Sequence, residues 1–322
     1  MQDDSAAAPA QAHAGFWRRL GAFAVDALVL GLAGYLLGLA LGEVFARAGA
    51  WGRLIGFLLA AAYFVPLEST WGGGASPGKR LLGIRVVDAR GLPPRPPRAA
   101  ARYAIFAVPY FLNGAALPAS LLFGPGVYLV SLLVFGIGGI SLYLFVFDRR
   151  SRRVLHDRWT HTAVVRRPAP FVAPPLWRWH RVAAGALLVL TLAAPLAVRQ
   201  LVKTGPLADI ERLYTSVTAQ PGVRFAGVSD RTETRYGTND STTERVVRVT
   251  AVIDGDVSDP GALPEQLARR VFDSLPDAMS ADFIVIRLSH GFDIGIASRF
   301  TSNELVRAPD QWRDRIAAGA QG

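Results

Sequence analysis

Residues 103–147 read YAIFAVPYFLNGAALPASLLFGPGVYLVSLLVFGIGGISLYLFVF, a run without one charged side chain. A helix rising 1.5 Å per residue crosses a hydrocarbon core of about 30 Å in about 20 residues, so this run is too long for a single crossing. It divides at Phe123-Gly124-Pro125-Gly126, where glycine and proline break a helix, and predicts two antiparallel spans of about 20 residues each. Pro109 and Pro118 are expected to kink the first of them, because neighbouring helices can satisfy the carbonyls a proline frees.

Three further apolar stretches flank this run. One covers about residues 20–42, a second about 54–70, containing Pro66 and ending beside Glu68, and a third about 181–201. The whole chain agrees: 322 residues, 51% hydrophobic, with a mean hydropathy of +0.27, are too apolar for an ordinary soluble protein. The first stretch is too long for a cleavable leader and is followed by more spans, so it is expected to stay in the membrane. There is no cysteine, which excludes disulfides and thiolate metal sites and leaves the redox compartment unread.

The net charge of +10 is unevenly distributed. Residues 1–204 hold 22 Lys/Arg against 8 Asp/Glu, whereas residues 205–322 hold 13 against 17. The basic residues of the first part gather between apolar stretches, as membrane topology requires and nucleic-acid binding does not. Residues 79–102 carry one lysine and six arginines against Asp88, and residues 148–181 carry nine arginines against Asp148 and Asp157. The loop at 43–53 is nearly neutral and the one near 123–126 has no charge. The positive-inside rule therefore puts the N-terminus and both basic loops in the cytoplasm, in a multi-pass plasma-membrane (inner-membrane) protein, and residues 205–322 on the other side.

Those last residues are expected to form an α+β soluble domain. LADIERLYTSV (207–217) places Leu207, Ile210, Tyr214 and Val217 on one helical face. Strands are predicted at 222–228 and 244–253, separated by a polar turn around Gly237, Asn239 and Asp240. A helix capped by Asp259, with Pro260 in its first turn, buries Leu263, Leu267 and Val271. FIVIRLS (283–289) and FDIGIAS (292–298) read as a strand pair, and PDQWRDRIA (309–317) as a closing helix.

Three segments then draw attention together: Arg19-x-x-Ala22-x-x-x-Asp26, SPGKRLLGIRVVDARG (76–91) and LHDRWTHTAVV (155–165). In this order and at this spacing they resemble the RDD family of bacterial membrane proteins, over about residues 15–167. The resemblance implies a four-helix membrane core and makes Arg19, Asp26 and Asp157 the namesake residues. It also implies an involvement in transport, ion antiport being suggested for some members. Ser76 stands where the family commonly has threonine and keeps the hydroxyl. Residues 80–88 are short and half apolar, so they either lie at the membrane interface or pair with TAVV (162–165).

The residues themselves raise one question. A carboxylate within a span costs about 2.5–3.5 kcal/mol on insertion scales, and Asp26 sits about one turn inside. Arg19, seven residues away, shares its helix face but lies about 10.5 Å off along the axis, too far for a direct pair. Asp26 is thus either an ion or proton site or a packing lock held by another helix, an inward-folded arginine or water. Asp157 is either a gate near Arg80 or Arg19, or a cap and salt bridge fixing its segment under the bundle. Lys79, Arg80 and His156 are candidates for contact with anionic lipid head groups. Residues 71–80 approach a phosphate-loop spacing, but Arg80 occupies the Ser/Thr position and a membrane helix precedes it. His156 and His161 lack a third metal ligand of matching spacing.

The expected architecture is an α-helical polytopic membrane protein, a four-helix RDD core plus a fifth span, with a C-terminal α+β soluble domain. Its parts are a disordered tail (1–14), the membrane domain (15–167), a linker with the fifth span (168–204) and the extracytoplasmic domain (205–322). No cofactor, metal, catalytic residue or nucleic-acid partner is expected. Transport of an ion or small solute through a polar site near the cytoplasmic leaflet is one expected role, and a homo-oligomer would help enclose a path. The other is a non-transporting anchor or sensor whose outer domain binds a protein or envelope component.

Overall fold

The computed structural model describes residues 13–170, 174–204, 207–236 and 241–319. The expected tail up to residue 12 and the turn at Gly237, Asn239 and Asp240 lie outside the described residues. Helix α1 (Phe16–Ala48) leaves helical geometry at Leu41 (φ −121°, ψ 19°), and a 3₁₀ turn (Gly49–Trp51) leads to α2 (Gly52–Leu67). The two run antiparallel, since Arg19 at the start of α1 and Glu68 just past α2 belong to one cluster.

The chain continues through α3 (Pro77–Leu81), β1 (Arg85–Asp88), α4 (Pro96–Leu112) and α5 (Ala119–Leu122). Next come α6 (Gly126–Ser131), a π-helical turn (Leu132–Ile137) and α7 (Gly138–Phe147), which together form one rod. They are followed by α8 (Leu155–Trp159), β2 (Thr162–Val165) and α9 (Arg178–Thr204). Three helical stretches are long and apolar enough to cross a membrane: 16–67, which holds both arms of the α1–α2 hairpin, 126–147 and 178–200. Helix α4, with 17 residues, is not among these long helices, so a crossing from 103 is not shown. It starts at Pro96, with extended Arg95 as N-cap and proline in its first turn, and so draws Arg98 and Arg102 into the helix. It ends at Leu112, and residues 113–118 connect it to α5 without helical structure.

The packing is that of a protein in lipid. Leu28, Leu32 and Leu36 of α1 and Val189 and Leu190 of α9 point outward, while Asp26, Glu68, Arg102 and Asp157 are buried. Helix α9 lies on the α6–α7 rod, where Ser131 Oγ donates to the Thr191 carbonyl (2.8 Å) and Tyr143 meets His180 (2.9 Å).

At one end of the bundle β1 and β2 pair antiparallel, with Val86 opposite Val164. The second and third motif segments are thereby joined into one cap. His13 bridges to Val165, and Ala14 is fully buried and donates to the Val164 carbonyl (2.9 Å). Residues 13–14 thus belong to the cap and not to the expected tail.

The C-terminal domain follows the expected order of elements: α10 (Leu207–Thr218), β3 (Val223–Tyr236), β4 (Ser241–Ile253), α11 (Leu263–Ser274), β5 (Phe283–Asp293), β6 (Ser298–Arg307) and α12 (Pro309–Gly319). The sheet order is β3-β4-β5-β6, with β4 and β5 parallel and both outer pairs antiparallel. Its core joins Val247, Val249, Ile284 and Ile286 to Leu213, Leu267 and Trp312 of the helices. Helix α11 begins after Ala262, so Pro264, not Pro260, occupies its first turn.

The largest departure concerns FDIGIAS. It was expected as a strand, yet β5 runs on to Asp293, β6 starts only at Ser298, and residues 294–297 form the hairpin tip. Gly295 turns the chain at φ 79°. This tip is wedged between α1 and α2: a Cβ on Gly38 would stand 2.3 Å from the Phe292 ring, and one on Gly56 only 1.6 Å from the Ile294 carbonyl oxygen. Arg53 of α2 holds Asp293 (2.6 Å), and Tyr110 of α4 donates to the Gly295 carbonyl (3.0 Å).

Candidate functional site

Asp26 is completely buried, nearly three turns into α1, facing α2 and the loop before α3. Tyr63 of α2 donates its hydroxyl to Oδ1 at 2.8 Å, Ser76 Oγ donates to Oδ2 at 2.5 Å, and the Gly78 backbone N–H reaches Oδ1 at 2.9 Å. Three neutral donors therefore satisfy the carboxylate and no arginine does. Gly78 is required for the approach, since a Cβ there would lie 2.1 Å from the Ala22 carbonyl oxygen. The Gly-rich segment at 71–80 is in this way fitted against α1. Arg80 ties it together, donating to the Ala75 (3.0 Å) and Gly72 (2.9 Å) carbonyls.

Asp157 belongs to a separate set. It occupies the third position of α8 and accepts from the Val154 N–H (3.3 Å), so it closes that short helix from within. Its Oδ2 takes Arg19 Nη2 at 2.8 Å, and its Oδ1 takes Arg102 Nη2 at 2.8 Å. Arg102 also gives Nη1 to Glu68 Oε2 at 2.6 Å, and the other Glu68 oxygen is paired with Lys79. The result is an alternating chain, Lys79–Glu68–Arg102–Asp157–Arg19, with a cation at each end and one more cation than carboxylate.

Burial pushes the Asp157 carboxyl up, but Arg102 and Arg19 outweigh it and hold it well below the usual carboxylate range. Glu68 follows the same logic: burial raises it, and Lys79 and Arg102 bring it below its ordinary value. His156 is held well below the ordinary histidine value by burial and then by the Arg102 guanidinium. Its Nε2 lies 3.2 Å from Arg102 Nη2, which can only donate, so Nε2 accepts and the ring proton sits on Nδ1. Lys79 and His156, read from sequence as lipid-facing, are thus turned inward.

Arg19, Asp26 and Asp157 are all at one end of the bundle, but only Arg19 and Asp157 touch. Glu68 and Arg102 complete the network, and the sequence carried a signal for both. Glu68 is the single acid closing an apolar stretch, and Arg102 lies one residue before the long uncharged run. Among the described residues no group of acids and histidines is arranged to hold a metal.

The network forms the base of a cavity of about 630 Å³ between α1, α4 and the α6–α7 rod. Leu20 and Phe23 of α1, Phe106 of α4, and Phe135 and Leu142 of the rod are among its walls, and it extends along α4 to Tyr110 and Asn113. Leu20, Phe23, Phe135 and Leu142 are also exposed on the bundle surface, so the cavity opens sideways where lipid would be. A smaller void of about 70 Å³ between Phe64, Tyr103 and Phe111 is closed by Ile296 of the hairpin tip.

A search of curated proteins finds no match to this sequence. Residues 13–161 match the model of the RDD family, a span that holds Arg19, Asp26, Asp157 and every residue of the charged network. Over residues 13–161 the chain is thus similar to the RDD family of membrane proteins.

Proposed function

We propose that this membrane protein moves an ion or small solute through the polar site at the base of its helical bundle. The observation that carries the reading is the alternating network of five charges, buried among membrane helices and opening onto a cavity of about 630 Å³. The arginine-rich loops beside it argue for a cytoplasmic position in the plasma membrane, and the C-terminal domain sits at the opposite end of α1. In this reading the hairpin tip closes the outer end and Lys79–Glu68 is the pair that opens. The test is cation and proton flux in proteoliposomes. Wild-type protein is expected to dissipate an imposed gradient, and Glu68→Gln and Asp26→Asn to slow it at least tenfold while eluting as folded protein. Unchanged flux in both variants sinks the proposal.

A second reading, an anchor or sensor, draws support from the wedged hairpin, which would pass a binding event on the outer domain directly to α1 and α2. Flux that persists after residues 205–322 are removed would count against coupling of this kind.

A further inference from the structure

The hairpin that seats the C-terminal domain also fixes how close that domain comes to the bilayer, because its rungs lie against α1. Ile296 and Ala297 stand 3.0 Å from the Cβ position of Gly34, the Phe292 ring stands 3.7 Å from that of Gly42, and His290 Nε2 lies 3.6 Å from Glu43. Going back from the tip to His290 therefore climbs α1 from Gly34 to Glu43, about 14 Å at 1.5 Å per residue. Glu43 is the first charged residue on α1 after Asp26, so it marks the outer end of the apolar stretch. Helix α2 gives the same depth: the Cβ position of Gly52, next to Trp51, is 2.7 Å from the Asp293 carbonyl oxygen.

Strand β6 carries this depth to the outside of the molecule. In its ladder with β5, Ser298 stands opposite Asp293, Phe300 opposite Gly291 and Thr301 opposite His290. Phe300 is thus one rung nearer the tip than the level of Glu43, beside the last apolar turn of α1. Leu305 packs into the helix-covered core, so Phe300 and Val306 belong to the opposite face of the sheet, and Phe300 is 46% exposed. Membrane proteins place aromatic rings at this depth. The membrane helices present exposed rings at the same end, Trp51 before α2 and Phe123 after α5, and Phe300 adds one from the C-terminal domain. Strand β6 is also the last strand of its sheet, and its free edge of N–H and C=O groups has no partner in hydrocarbon. That edge holds the start of the strand at the interface and keeps it from going deeper.

We propose that the start of β6 is a lipid-contact surface, with the Phe300 ring at the boundary between head groups and hydrocarbon of the leaflet into which the hairpin tip projects. Lipid is the occupant that this depth supplies. Arg299, exposed beside the ring, brings a guanidinium to the level of the lipid phosphates. The seated tip holds the domain, and Phe300 sets its tilt; one ring does not hold it alone. The contact is independent of whether the protein carries out flux.

The chain has no cysteine, so Trp51→Cys, Ser298→Cys, Phe300→Cys and Val306→Cys each give a single site for an environment-sensitive fluorophore. The full chain is reconstituted in phosphatidylcholine vesicles, with or without phosphatidylcholine bearing a nitroxide near the head-group end of an acyl chain. Val306 is the control, being on the same face, 52% exposed and about 20 Å farther along the strand. Quenching at Phe300 is expected to be at least threefold that at Val306 and within twofold of that at Trp51. Ser298→Cys leaves the Phe300 ring in place and is expected to match Phe300→Cys, so loss of the ring cannot by itself decide the result. Moving the nitroxide to the chain terminus is expected to weaken quenching at both positions. Quenching at Phe300 and Ser298 no greater than at Val306 overturns the proposal. Aqueous iodide then identifies what replaces lipid: quenching by iodide means that the domain stands clear of the bilayer, and protection from both quenchers means that a second copy covers this face.

Discussion

Asp26 and Asp157 are both sealed carboxylates, yet their partners make opposite demands. Asp157 balances two guanidinium groups, so Asp157→Asn leaves Arg19 and Arg102 buried against a neutral amide. Breaking such a pair from one side costs about 3–5 kcal/mol. Asp26→Asn loses no ion pair; one of three neutral donors loses its acceptor, at about 1–3 kcal/mol. Denaturation of the detergent-solubilised variants, followed by circular dichroism, is expected to rank Asp157→Asn as the less stable, and the reverse order would mean that Asp26 carries the bundle. His156 adds a pH dependence. Its folded value lies below the unfolded value of about 6.5, so below that pH the unfolded chain takes up a proton that the folded chain refuses. Stability is therefore complete above about pH 6.5 and falls as the pH drops toward the folded value, by at most about 1.4 kcal/mol per unit. His13, lowered by burial and then Arg153, contributes with the same sign, so His156→Gln is expected to flatten the melting-temperature profile between pH 7 and 5 only in part. Asp26 was legible in the sequence because charge inside an apolar run is conspicuous, and Arg19 and Asp157 joined it through the family resemblance. The signal for Arg102, its place at the edge of the uncharged run, was weaker, because a cation at the end of a basic loop looks like one more topology signal until α4 is seen to begin at Pro96.

Elements paired in space were legible where their patterns matched. Residues 85–88 and 162–165 are both short and centred on apolar residues, and of the two alternatives for the 80–88 segment the pairing is the one formed, by its last four residues. The chain has no cysteine, so Val86→Cys with Val164→Cys gives a clean pair, and facing antiparallel Cβ atoms lie about 4.5–5.5 Å apart. Mild oxidation of the purified protein is expected to cross-link them, and Val86→Cys with Ala163→Cys, one residue out of register, to do so far less. The hairpin tip shows why other parts were hidden. FDIGIAS alternates like a strand, and nothing local says that its apolar residues face membrane helices and not a neighbouring strand. What fits it there is distributed over glycines of two other elements, Gly34 and Gly38 of α1 and Gly52 and Gly56 of α2. A Cβ at Gly56 meets a backbone carbonyl at 1.6 Å, which no rotamer change relieves. Gly56→Ala is expected to push the tip out of its seat and make residues 290–298 susceptible to limited proteolysis in the otherwise folded protein. Protection equal to wild type would show that the tip is seated elsewhere.

At the scale of the molecule, two regions with separate cores meet chiefly at that tip, with the Phe123–Tyr214 ring contact and the Glu43–His290 contact beside it. The C-terminal core of Val247, Ile286, Leu267 and Trp312 is continuous without any membrane helix, so residues 207–319 are expected to fold when produced alone. Such a fragment would carry Phe292, Ile294 and Ile296 without their glycine-lined seat and Asp293 without Arg53. Fully burying each of the three apolar side chains is worth about 1.5–3 kcal/mol, enough together to hold a domain on a bilayer. The fragment is therefore expected to float with zwitterionic liposomes in a density gradient, and Phe292→Ser/Ile294→Ser/Ile296→Ser to remain in the soluble fraction with an unchanged circular dichroism spectrum. Those three side chains pack away from the sheet core, which is why the triple variant should fold. Flotation of the triple variant, or a wild-type fragment that stays in solution, would mean that the tip is not the contact by which the domain holds the membrane core. The tip's seat would then have to be filled by something other than apolar burial, leaving Arg53–Asp293, the Tyr110–Gly295 hydrogen bond, the Glu43–His290 contact and the Phe123–Tyr214 ring contact among those that hold the two regions together.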